Sequence, residues 1–251
     1  FPALTYSFYP VFANLHGVAY ETVPLREDFT IDAAGMQGRG KLTVFPNPNA
    51  PTGIALPLDQ VEAIVASNPE HVVVVDEAYV DFGADSAVPL LQKYDNLLVV
   101  MTYSKSRSMA GARLGFALGS RGLIEDLEKL KYSTNPYNVN RLTLKLGAAA
   151  VDSDGYFREK AREIMATRER TAQALRALGF ALPDSQANFL FVTHPKVAGE
   201  TLYRKCKEKG VLIRHFSDPA IASYNRVTIG TPAEMEAFLA VVQTILKEEG
   251  A

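Results

Sequence analysis

One lysine, Lys105, stands where an apolar run from Leu97 to Met101 gives way to hydroxyls and arginines, in Thr102-Tyr-Ser-Lys105-Ser-Arg-Ser-Met-Ala-Gly-Ala-Arg113-Leu-Gly115. A lysine at the mouth of a sheet is costly to bury unless its charge is paired or its proton given up. The chemistry that uses such a group is nucleophilic. A free amine titrates at about 10.4, so a nucleophilic lysine needs a carbonyl partner and a site that lowers that value. Asp76 is the second candidate, because it closes the run His71-Val-Val-Val-Val-Asp76. A carboxylate at such a sheet end stays ionised only beside a cation. Tyr79 follows three residues later, and Thr102, Ser104 and Arg113 around the lysine could hold a phosphate, the arginine by bidentate contact.

Pyridoxal phosphate answers this set. Its carbonyl takes an amine, its protonated ring nitrogen suits a carboxylate such as Asp76, and its phenolate oxygen suits a donor such as Tyr79. Tyr6 could stack on a flat ring. Arg214 and Arg226, at strand ends, could clamp an anionic substrate. Taken one at a time, the residues also fit plainer roles: a solvated loop lysine, a carboxylate capping a helix or closing an ion pair, a core aromatic, solvated arginines.

The elements that must position these groups follow from periodicity. Two β-branched runs, residues 71–76 and Leu97–Met101, read as strands buried on both faces, and Leu42–Phe45 as a shorter one ending in the turn formers Pro46-Asn-Pro-Asn-Ala-Pro-Thr-Gly53. Gly17–Val23 alternates like a strand, and a further strand-like piece covers Ala112–Leu118. Helical periodicity covers Leu58–Ser67, Leu123–Leu130, Asn138–Val151 and Tyr156–Leu178. Strands alternating with helices predict an α/β fold, a mostly parallel sheet flanked by helices with its ligand crevice outside the carboxyl ends of the strands, where Asn47, Asp76 and Thr102 converge. Beyond it, strands at Phe189–Val192, Val211–Arg214 and Arg226–Ile229 with helices at Lys196–Lys209 and the C-terminus predict a smaller α+β domain. The predicted division is 1–152 and 153–251.

Composition limits the partners. The 251 residues carry 26 Lys+Arg against 28 Asp+Glu, a formal charge of −2, which leaves no electrostatic footprint for nucleic acid. No apolar run approaches a membrane span and the first 25 residues lack a signal-peptide pattern, so a cytoplasmic location is expected. The single cysteine, Cys206, excludes an internal disulfide and reads as a small buried hydrophobe. The histidines have no ligand spacing, so no metal is expected.

Together, Tyr6-Ser-Phe-Tyr-Pro, Pro48-Asn-Ala-Pro-Thr-Gly53, Asp76-Glu-Ala-Tyr-Val-Asp-Phe82, the Lys105 motif, Pro136-Tyr-Asn-Val-Asn140 and Arg226-Val-Thr-Ile-Gly-Thr231 resemble, in order and over essentially the whole chain, the histidinol-phosphate aminotransferases. That family has the fold-type I architecture of aspartate aminotransferase and uses pyridoxal 5'-phosphate. The resemblance implies Lys105 as the Schiff-base lysine, Asp76 on the pyridine nitrogen, Tyr79 on the ring oxygen, Tyr6 stacked on the ring, and Thr102, Ser104 and Arg113 on the cofactor phosphate. Arg226 and Arg214 would bind the substrate phosphate and Asn188 would line that pocket. It further implies a homodimer that transfers an amino group between a phosphorylated amine and 2-oxoglutarate, in histidine biosynthesis. Where the family has an asparagine on the ring oxygen this chain has Ala50, with Asn49 beside it as a candidate substitute. The resemblance also implies a preceding N-terminal segment with a glycine-rich phosphate turn. Threonine-phosphate decarboxylases of the same superfamily share nearly all these motifs, and an aromatic-amino-acid transaminase is a further alternative. A folded interaction module without catalysis is the alternative of another class.

Overall fold

The computed structural model describes residues 1–251. The first sheet holds β1 (Leu42–Pro46), β2 (Val72–Asp76), β3 (Leu97–Thr102) and β4 (Gly115–Gly119) in that order, the first three parallel and β4 antiparallel. Val73, Val75, Leu97 and Val99 point to one face and are wholly buried against Val61, Ile64 and Val65 of α2 (Leu58–Ala66) and against Val23, Ile31 and Met36. Each such side chain contributes about 1.5–3 kcal/mol of burial. The opposite row, Val72, Val74, Leu98 and Val100, belongs to neither apolar core and all of it but Leu98 is only half-buried, so this sheet is not sealed on both faces as its β-branched runs predict.

The second sheet is β5 (Phe189–Val192), β7 (Asn225–Thr228) and β6 (Arg214–His215), all antiparallel. Leu190, Val192 and Val227 face a core closed by α6 (Gly199–Glu208), by α7 (Pro232–Glu249) and by the end of α5 (Asp154–Ala177). Cys206 lies in this core, fully buried, and burial pushes its thiol up to about 11. The start of α7 is fixed by its sequence: Thr231 accepts from the Glu234 amide while the Glu234 carboxylate reaches back to the Thr231 amide, with Pro232 in the first turn.

Three expected elements differ, each for a local reason. Residues 1–22 contain α1 (Phe8–Leu15), and the Val18 amide is spent on the Ala13 carbonyl closing that helix, so Gly17–Val23 makes no strand and Val23 forms only a bridge to Pro2. At the other end, α6 stops at Gly210, whose φ of +82° lets the Val211 amide turn back to the Cys206 carbonyl. Pairing therefore begins only at Arg214, and Leu212 is 77% exposed. The piece expected at Ala112–Leu118 starts later, because Ala110–Ala112 forms a 3-10 turn that reverses the chain into β4.

The remaining helices, α3 (Arg121–Thr134) and α4 (Arg141–Asp152), follow β4, and Asn140 caps α4 by accepting from the Thr143 amide. Helix α5 joins the two sheets, and the bolt is Arg168, whose Nη1 lies 2.8 Å from both the Phe82 and the Ala187 carbonyls. Gln186 adds bonds from its amide to the Gly53 carbonyl and from its side chain to the Gly83 carbonyl. Gly53 is required there: its φ is +79° and a Cβ would stand 2.4 Å from Ser185 Oγ.

Candidate active site

Asp76 and Thr102 end adjacent parallel strands, and the chain after each curls over the same sheet edge. The Asp76 carboxylate accepts from the Tyr9 hydroxyl at 2.8 Å and from the Ala78 amide at 3.1 Å, and no lysine or arginine pairs with it. Burial raises its pKa, opposed by those two bonds and by the more distant charge of Lys105. The same contact, with burial as the larger cause, pushes the Tyr9 hydroxyl far above its ordinary value. The neighbouring Glu77 is also buried and also raised, but both of its oxygens are engaged, by Ser86 and by the Ala87 amide, which closes the loop after β2.

Lys105 is half-buried, and its Nζ stands 5.2 Å from the centroid of the Tyr79 ring. From there an aromatic path crosses to the second sheet. Tyr79 meets Phe189 edge-on at 5.1 Å, and the Arg226 guanidinium lies 5.1 Å over the same Phe189 ring. Because residues alternate along a strand, Phe189, Phe191, Arg226 and Arg214 share one face of the small sheet, with Arg214 and Arg226 directly paired. The Nε of Arg226 is buried with no partner, and an orphaned buried guanidinium nitrogen marks a place for an anion. Arg214 is exposed, its guanidinium 5.7 Å from the Phe216 ring.

The remaining predicted residues fall as follows. Thr102 and Ser104 join hydroxyls at 3.0 Å, beside the lysine. Arg113 is exposed, in a left-handed conformation, with one nitrogen on the Ala110 carbonyl. Tyr6 is 47% exposed, stacked on Phe8 and edge-on to Tyr9, so it is not a core aromatic. Asn188 is half-buried, next to Phe189, and its carbonyl accepts from the Ile229 amide. Asn49 is fully buried and its amide is consumed: Nδ2 donates to the Leu4 carbonyl and to Thr52, and Oδ1 accepts from Thr5. It ties the Tyr6 segment to the turn and has no N–H left to donate to a ring oxygen. Ala50 packs beside Phe189, Ala187 and Tyr79.

Tyr9 and Phe189 escape a reading by residue type, since neither carries a charge or an unusual spacing. The signal that could have found them is adjacency, Tyr9 lying in the Tyr6 motif and Phe189 beside Asn188.

A half-buried carboxylate without an ion-pair partner, a lysine close enough for its charge to act on it, and an arginine with an orphaned nitrogen beyond them form a recognisable constellation. Residues 1–242 match the family described as aminotransferase class I and II. Over 248 residues the chain is 50% identical to histidinol-phosphate aminotransferase 1 of Bordetella parapertussis, covering 98% of this chain and 70% of that protein. It belongs to the histidinol-phosphate aminotransferase family. The enzyme of that name from Brachyspira hyodysenteriae is 46% identical over the same shares. Among solved structures, the histidinol-phosphate aminotransferase of Sinorhizobium meliloti, in complex with pyridoxal-5'-phosphate, superimposes with a TM-score of 0.87 at 24% identity, covering 97% of this chain and 68% of that one. The L-threonine-O-3-phosphate decarboxylase of Porphyromonas gingivalis shares the fold at 0.80 and 21% identity, with 97% and 75% covered. No helix of the chain is long and apolar enough to cross a membrane.

Proposed function

We propose that the chain is a pyridoxal-phosphate-dependent aminotransferase that moves an amino group between histidinol phosphate, or a closely similar phosphorylated amine, and 2-oxoglutarate in histidine biosynthesis. The observation that carries this reading is Asp76, a half-buried carboxylate with two neutral donors and no ion-pair partner, one strand away from Lys105. A protonated ring nitrogen is the partner it lacks. The identity to histidinol-phosphate aminotransferases favours this substrate over that of the decarboxylase, which is alike in fold.

When bound, the cofactor supplies the carbonyl that receives the amine and the ring that draws electrons from it. Lys105 Nζ would be the nucleophile and, once released, the base that takes the proton from the substrate carbon bearing the amine. Asp76 holds the ring nitrogen protonated, and Tyr9 and the Ala78 amide keep that carboxylate aimed. Tyr79 donates to the ring oxygen, and its ring lies under Lys105. Thr102, Ser104 and Arg113 take the cofactor phosphate, and Tyr6 covers the ring. Arg226 and Arg214 bind the substrate phosphate, with Asn188 at the pocket wall.

In this reading residues 1–152 hold the cofactor and 153–251 the substrate anion. Asn49 serves the fold of the turn and Ala50 leaves the ring oxygen to Tyr79 alone. A homodimer completes the reading, supported by the apolar residues Phe8, Phe12, Leu142 and Leu144 that this chain leaves exposed. Sedimentation at micromolar concentration tests it against a monomer.

The decisive experiment is a spectral titration of the purified chain with pyridoxal phosphate. A visible absorption band should grow to saturation in the unaltered chain and be absent in Lys105→Ala. A band of equal height in the alanine variant would overturn the assignment of Lys105.

A further inference from the structure

A tight turn in the first half of the chain reaches across to the small sheet. Leu25 and Ile31 bridge antiparallel, Arg26 and Thr30 pair through their backbones, and Asp28 Oδ1 accepts from both the amide and the hydroxyl of Thr30. The base of this turn is rooted in the core of the first sheet through Val23 and Ile31. Its tip is Phe29, held at a φ of +65°, a left-handed conformation that costs a bulky residue and is normally given to glycine. The phenylalanine ring accounts for the choice. It meets Phe191 edge-on at 5.5 Å and Tyr224 edge-on at 5.1 Å, while those two rings stack on each other at 4.3 Å. Phe191 pairs directly with Arg226 across β5 and β7 and touches Phe216, over which the Arg214 guanidinium lies.

We propose that Phe29 is a positioning residue for the arginine pair: its ring, driven out of the turn by a strained backbone, braces the face of the small sheet that presents Arg226 and Arg214 to the substrate's phosphate. The inference rests on the function proposed above for those arginines. Strain at a turn tip persists only where surroundings enforce it, and it gathers at sites where position matters. Here the turn belongs to the core that carries Asp76, and the rings it wedges against belong to the sheet that carries the anion site. This side chain thereby adds to Arg168 and Gln186 a brace that acts directly on the strand facing Arg226.

The test separates the ring from the strain. Phe29→Gly keeps the turn and relieves the backbone while deleting the ring; Phe29→Tyr keeps the ring. Each is saturated with pyridoxal phosphate and titrated calorimetrically with an imidazolyl alkyl phosphate that lacks the amino group. Phe29→Gly should bind this probe at least tenfold more weakly than the unaltered chain, with an unchanged visible band, and Phe29→Tyr should restore affinity. In steady state the loss should fall on KM for the phosphorylated amine, with kcat within about twofold. Equal affinity in the glycine variant would overturn the proposal, as would a loss that the tyrosine variant fails to restore. Failure of the unaltered chain to form the band, or of Arg226→Ala to weaken the probe, would instead overturn the underlying reading of the site.

Discussion

Replacing Asp76 by asparagine should make the cofactor-free protein more stable at neutral pH and cripple its hold on the cofactor. Burial raises the Asp76 carboxyl above the value it has in the unfolded chain. The folded state therefore binds that proton more tightly, and the ionised carboxylate costs stability. The sign of the pH dependence follows. The benefit of a protonated Asp76 is complete below the unfolded value and is lost as pH rises through the folded one, so at neutral pH the full cost is present. Asparagine keeps the shape and can still accept from the Ala78 amide and face the Tyr9 hydroxyl, but carries no charge to desolvate.

With cofactor bound the sign reverses. Removing one partner of a buried charge pair costs about 2–5 kcal/mol, which is roughly 30- to 4000-fold in Kd. The assay has two arms: thermal unfolding of both proteins without cofactor, from the ordinary carboxylate range up to neutral pH, and spectral titration with pyridoxal phosphate. Glu77 is shifted in the same direction, in small part by the Asp76 charge itself, so the difference between the two proteins reports Asp76 together with the relief it gives Glu77. An asparagine variant that binds the cofactor within threefold of the unaltered chain would refute the pairing. A variant less stable at neutral pH without cofactor would refute the desolvation argument.

Two further outcomes follow from the geometry. Arg226→Ala should raise KM for the phosphorylated amine by about 10- to 150-fold, the equivalent of one charge-assisted contact at about 1.5–3 kcal/mol, in steady-state assays; an unchanged KM would make Arg226 structural. Arg168→Met should lower the urea-unfolding free energy by about 2–3 kcal/mol, because the Phe82 and Ala187 carbonyls lose their shared donor where the two sheets meet; a loss below about 0.5 kcal/mol, the scale of an ordinary surface substitution, would mean that water replaces the guanidinium.

Strand runs and charged groups were legible in the sequence because each carries its signal locally. Four valines before Asp76 announce a strand, and a lysine ringed by hydroxyls announces a strand end. Burial on the far side of that strand was not legible: β-branched composition records a preference for extended backbone, whereas the exposure of Val72 and Val74 depends on what else lies across the sheet. The failed strands at Gly17–Val23 and Val211–Ile213 have the same origin. Their amides were claimed by helix ends, and a hydrogen bond used in a cap is lost to a ladder. Asn49 shows the limit for the site itself. Its type and its place in the turn admit a ligand role, and only its three partners reveal that the amide is already spent.

What the residue types could not convey is how the two sheets are joined. The path Lys105, Tyr79, Phe189, Arg226 runs through two aromatic rings, and such rings hold geometry by packing, with little freedom to swing. The loop that carries the lysine is held from its other side as well, Ser106 donating to Asp81 and Arg107 donating at 2.6 Å to Asp154 in the first turn of α5. The same helix delivers Arg168 to the seam about four turns further along, fourteen residues on in sequence (168 − 154 = 14). A displacement of the small sheet therefore presses on the lysine by two routes, through the rings in front and through α5 behind. That arrangement suits a reaction in which the amine and the phosphate at opposite ends of one small substrate must be held at a fixed separation while the lysine takes a proton from the carbon that bears the amine.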